Sequence, residues 1–143
     1  MALFIFVIAM RGWLDSRQPP PARESLLRDT GTVAGVRPVY RRGRLSRLLF
    51  TARESGRRYD YRRYLGQLDL VRHMMIPGRR VTVYFTDPAR PQIWEVLVDG
   101  NVIVSQQDTA SGRRQNGLFA LIVAAASGAG AIWFGVLAAR KTE

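Results

Sequence analysis

The sequence predicts a membrane protein: a small, mainly β domain of about six strands (antiparallel sheet, sandwich or barrel), a C-terminal transmembrane helix and a short apolar N-terminal helix. Three observations carry that expectation. Gly117 to Ala139 is a run of 23 residues without a charge. Short strand-like runs broken by turn signals fill residues 30–107. The composition removes most alternatives: among 143 residues there is no Cys and one His, and 22 Lys+Arg face 11 Asp+Glu, for a formal charge of +11. A disulfide framework, thiol catalysis and Cys-ligated metal are excluded, and one histidine cannot build a multi-histidine site.

At the N-terminus, residues 1–14 open with the apolar run MALFIFVIAM, followed by Arg11 and Trp13, residues typical of a membrane boundary. Ten apolar residues are too few to cross a bilayer, and the basic start and small-residue cleavage site of a secretory signal are missing. The segment reads as a partial or short membrane helix. Residues 15–29 hold Pro19, Pro20 and Pro21, a stiff extended linker.

The β-rich domain is expected over residues 30–107. Thr30 to Tyr40 is rich in Val and Thr, and Leu45 to Arg53 and Arg57 to Leu65 flank the hairpin loop Glu54-Ser55-Gly56. From Arg80 to Thr86, Val81, Val83 and Phe85 alternate with Thr82 and Tyr84, the clearest period-2 signal in the chain. Ile93 to Val98 and Asn101 to Gln106 flank Asp99-Gly100, a two-residue hairpin signal, since both positions tolerate positive φ. Residues 108–116 read as a polar tether. Residues 117–139 follow as the membrane helix, about 34 Å long at about 1.5 Å per residue, and residues 140–143 as a basic tail. Ser127, Ala131, Gly135 and Ala139 recur every four positions, a candidate helix-packing seam for a homo-oligomer, a membrane-complex partner or the N-terminal helix.

Several short motifs carry a family resemblance: Gly31-Thr32-Val33, the Tyr59-x-Tyr61 strand, Pro77-Gly78 leading into Val81-Thr82-Val83-Tyr84-Phe85, then Asp87-Pro88-Ala89-Arg90-Pro91 and a last apolar helix. The arrangement resembles bacterial membrane proteins grouped as domain of unknown function 3592, over about residues 30–139. The resemblance implies an architecture and a membrane location; it brings no activity and no catalytic residue.

Charge is concentrated. Residues 37–63 hold ten Arg against Glu54 and Asp60, whereas residues 64–112 hold four Arg against five acids. Arg41, Arg42, Arg44, Arg47, Arg57, Arg58, Arg62 and Arg63 are therefore the candidate anionic-surface binding residues. Three readings compete. One is anionic lipid headgroups beside the lipid bilayer. Another, less favoured, is nucleic acid, with Arg on phosphates and interleaved Tyr on bases. The third is an arginine-rich composition on a solvated surface, which the single Lys among 22 cations supports. On strand-type alternation both faces of residues 57–63 carry cations, which suits an exposed edge or a long hairpin better than a central strand. Arg11, Arg17, Arg23, Arg113 and Arg114 outnumber Arg140 and Lys141, so the positive-inside bias favours a cytoplasmic domain on the cell inner membrane.

No catalytic constellation is legible. His73 beside Met74 and Met75 is a weak soft-metal pattern, the acids fall mostly at turns, and there is no phosphate loop or nucleophile elbow. The expectation is a non-enzymatic membrane protein without cofactors, in a structural, scaffolding or interaction role. The alternatives are a binding module for anionic ligands and an accessory subunit of a membrane complex.

Overall fold

In the computed structural model, residues 19–126 are described in full, together with Val7, Met10, Trp13, Leu14 and Arg17 and the backbone of the last helix to Arg140. The expectations for the rest of the N-terminal segment, for the seam Ser127, Ala131, Gly135 and Ala139, and for residues 141–143 lie outside the described residues. The chain divides into two compact units, Pro19–Gly112 and a second that combines Met1–Gln18 with Arg113–Glu143.

The first unit is built on one six-stranded antiparallel sheet. Its strands are β1 (Leu27–Arg41), β2 (Arg44–Ala52), β3 (Arg58–Arg62), β4 (Arg80–Thr86), β5 (Gln92–Val98) and β6 (Asn101–Val104), in the spatial order β3-β2-β1-β4-β5-β6. The period-2 pattern of residues 80–86 is realised as β4, with Val81, Val83 and Phe85 buried. Asp99 and Gly100 both take positive φ, 51° and 83°, and turn β5 into β6. Arg42 and Gly43 do the same between β1 and β2, because a two-residue turn with φ > 0 at both central residues matches the strands' right-handed twist.

β1 is unusually long at 15 residues and is shared along its length. Leu27 to Thr32 pair with β4, and Val33 to Arg41 pair with β2. A register shift between Val33 and Gly35 marks the change of partner. Bulges bend a strand and increase its twist, and the sheet curls here. The Tyr59 ring of β3 meets the Phe85 ring of β4 edge-on at 5.7 Å, although in a flat sheet these strands would lie roughly 14 Å apart. The apolar side of every strand faces into this curl.

A short helix, α1 (Leu68–Met74), and the 3-10 turn Arg63–Leu65 supply Leu65, Leu68, Val71 and Met75 to the same core. Residues 66–76 carry no element signal of their own in the sequence. Leu68, Val71 and Met75 are spaced i, i+3, i+7 and form a single apolar stripe. Seven residues are too few for that period to stand out.

The last helix, α2 (Gln106–Arg140), is 35 residues long. The expected polar tether at 108–116 is instead its opening turns. Ser105 and Asp108 form a reciprocal capping box: the Ser105 Oγ accepts the Asp108 N–H at 3.2 Å, and Asp108 Oδ2 accepts the Ser105 N–H at 3.1 Å. A polar stretch behind such a cap continues a helix rather than a coil. Part of the expected linker, Arg23–Ser25 and Leu27 onward, lies instead in a 3-10 turn and in β1. The first unit begins at Pro19, and the 3-10 turn Arg23–Ser25 is held by an Arg23–Glu95 ion pair at 2.7 Å and by Arg23 stacked over Tyr84 at 4.7 Å.

Among the described residues no helix is long and apolar enough to cross a membrane. The charge-free run 117–139 enters α2, and its described side chains end at Ala126. Within that part Leu118, Phe119, Ile122 and Val123 are exposed, Phe119 by 67%.

Candidate anion-binding face

Strand register decides which arginines come together. Residues directly opposite on antiparallel strands share a face. Pairing of Arg37 with Leu49, Val39 with Arg47 and Arg41 with Arg44 on one side of β2, and of Arg47 with Arg62, Leu49 with Asp60 and Thr51 with Arg58 on the other, places all of them on one surface. It is the side of β1, β2 and β3 turned away from the core, because their neighbours Val33, Leu45, Leu48, Phe50, Tyr59 and Tyr61 are buried. Six guanidinium groups therefore share this face: Arg37, Arg41, Arg44, Arg47, Arg58 and Arg62. Asp60 is the one acid in this grid, bridging Arg47 at 3.3 Å and Arg62 at 3.2 Å.

Of the eight candidates read from sequence, Arg41, Arg44, Arg47, Arg58 and Arg62 lie on this face. Three do not. Arg42 sits at the hairpin tip with φ 51°. Arg57 is half-buried, its guanidinium 4.8 Å over the Phe85 ring. Arg63 lies in the 3-10 turn and donates its Nε–H to the Leu45 carbonyl at 2.8 Å. Arg37 was not among the candidates. Its spacing of four from Arg41 along an even-period strand is the signal that brings it in. β3 is an edge of the sheet, as the cations on both sides of residues 57–63 suggested.

The tyrosines of this stretch are not on the face. Tyr59 and Tyr61 point into the core, and both phenols are pushed above their ordinary range by burial, Tyr59 further by donating to Asp29 Oδ2 at 2.5 Å. The Tyr61 hydroxyl donates to the Gly66 carbonyl at 2.6 Å. At the β2–β3 loop, the Thr32 hydroxyl (2.7 Å) and backbone N–H both donate to Glu54 and hold its carboxyl below the usual range. The Ser55 hydroxyl donates to Asp29 at 2.6 Å. These contacts tie the loop to β1.

The face has an electrostatic cost. Arg47 lies directly opposite Arg62, and Arg41 opposite Arg44. Like charges directly opposite across strands are destabilising, by up to about 1 kcal/mol each. Asp60 relieves the first pair; no acid bridges the second among the described residues. Planar guanidinium groups arrayed in this way match phosphate oxygens in a bidentate manner.

Elsewhere the chemistry is sparse. His73 is exposed near the end of α1 while Met75 is buried in the core, so the two do not converge. Among the described residues no group of three or more His, Asp or Glu is placed to hold a metal ion. No protein-family model matches the chain, and no curated protein or solved structure matches it either.

Proposed function

We propose that the protein is a non-enzymatic interaction protein anchored in the cell inner membrane through its apolar C-terminal stretch, with the β-rich domain as its interacting part. The observation that carries this reading is the continuity of α2 from the capping box at Ser105 through the charge-free stretch 117–139. A charge-free stretch of 23 residues needs lipid or protein around it, and Leu118, Phe119, Ile122 and Val123 are exposed along its described part. This is the architecture that the resemblance to domain of unknown function 3592 implies. The test is fractionation: the protein should stay with membranes through alkaline carbonate and leave with detergent. Recovery in the soluble fraction without detergent refutes the anchor. A reporter fused after Glu143 reads topology, with the domain expected on the cytoplasmic side.

A second reading, binding of anionic ligands by the domain, is favoured by the gathering of six arginines on one face of β1, β2 and β3. The accessory-subunit reading rests on the small-residue seam, and crosslinking through a cysteine at position 135 tests it: capture of monomer alone argues against it.

A further inference from the structure

We infer that the outer face of β1, β2 and β3 is a docking surface for anionic phospholipid headgroups; this rests on the membrane anchor proposed above. Three features of the face select this partner. Six arginines against Asp60 leave it with a net charge of about +5, and an anionic leaflet attracts each such cation by about 1 kcal/mol. Arg41 faces Arg44 across strands with no acid bridging them among the described residues, so an incoming phosphate relieves repulsion that the free protein carries there. Between the arginines stand half-buried Val39 and Leu49, aliphatic groups that suit the glycerol and upper acyl region beneath a phosphate layer.

The same face argues against single-stranded nucleic acid. Recognition of that ligand without a sequence code relies on aromatic platforms for the bases. Tyr59 and Tyr61 are turned into the core, and the face from Arg37 to Arg62 presents no aromatic ring.

The chain has no cysteine, so single labels are straightforward. Full-length protein carrying an environment-sensitive dye at Thr51→Cys, or at His73→Cys on α1 as control, is placed in phosphatidylcholine nanodiscs with and without phosphatidylglycerol. The Thr51 label should report a less polar surroundings only with phosphatidylglycerol, the effect should fade at high salt, and the His73 label should not respond. R44Q/R62Q removes one member of each like-charged pair. It should cut partitioning onto phosphatidylglycerol vesicles about thirtyfold, the factor for two contacts of about 1 kcal/mol each, while its melting temperature without lipid stays equal or rises. If that variant fails to fold, R37Q/R58Q, which touches neither pair, carries the same test. A Thr51 label indifferent to phosphatidylglycerol overturns the inference, as does an equal response to single-stranded DNA or to inorganic phosphate. Failure of the anchor shows differently: the chain enters neither nanodisc, and flotation with phosphatidylglycerol vesicles, abolished by R44Q/R62Q, still reports on the face.

Discussion

Replacing Gly112 by alanine tests how the start of α2 is seated, and the sign of the effect is decided by packing. Within a helix, alanine is favoured over glycine by about 1 kcal/mol, so an unobstructed site would be stabilised by the change. Gly112 is obstructed: a Cβ built there falls on the Tyr64 carbonyl oxygen, far inside contact distance, and lies 3.3 Å from the Leu65 carbonyl carbon. Main-chain atoms cannot swing aside as a side chain would. This turn is also pinned from below, because the Tyr61 hydroxyl donates to the carbonyl of Gly66 at 2.6 Å. Overpacking costs about 1–3 kcal/mol, and overlap with backbone places this site at the upper end. After the propensity gain, the net loss is about 2 kcal/mol, a fall in melting temperature of about 10 °C for a domain of this size. The assay is thermal unfolding of the full chain followed by near-UV circular dichroism. Gly35→Ala is the control, since a Cβ there meets nothing within 4 Å. A Gly112→Ala protein that melts at or above the parent temperature refutes the seating of α2 against the Arg63–Leu65 turn.

Other substitutions read other layers of the fold. Leu48→Ala empties a fully buried position opposite Tyr61 and should cost about 2–5 kcal/mol in chemical denaturation. Asp60→Asn removes the acid that bridges Arg47 and Arg62; it should destabilise by about 1 kcal/mol, and added salt should restore part of the loss. Tyr59 and Tyr61 set an alkaline limb. Their folded pKa values are raised, so above about pH 10 the unfolded chain loses protons first and stability falls as pH rises, by at most about 1.4 kcal/mol per pH unit for each group. Tyr61→Phe should flatten that limb in melts between pH 9 and 12 (approximate experimental limits). Glu54 sets an acid limb of opposite sense. Its folded pKa is depressed, so its contribution is present above the ordinary carboxylate range and is lost as pH falls through the lowered value. Glu54→Gln should lack that acid-dependent loss when melting temperature is followed below about pH 5.

Much of the architecture was legible from local chemistry. The alternation of Val81, Val83 and Phe85 specified β4, Asp99-Gly100 specified the β5–β6 turn, and the apolar run ahead of Arg140 specified a long C-terminal helix. These signals need only near neighbours: a two-residue period, positive φ tolerance, unbroken helical propensity. α1 escaped because its apolar stripe is two turns long, and the capping box at Ser105 escaped because its polar residues also suit a coil.

Ten arginines crowd residues 37–63 whatever the fold; strand pairing selects which of them act together. On a regular strand Arg44 and Arg47 differ by an odd number of positions and would point to opposite faces. A register shift between the Val39–Arg47 and Tyr40–Leu45 pairs inserts one residue and brings both to the outer side. A second shift, between Val33 and Gly35, does the same for Arg37 relative to Thr30 and Thr32. A bulge reverses the parity of everything beyond it. The first shift is set within the hairpin around Arg42–Gly43 and the second by the change of partner along β1, so the spacing of the arginines alone does not reveal whether they are scattered over two surfaces or assembled into one.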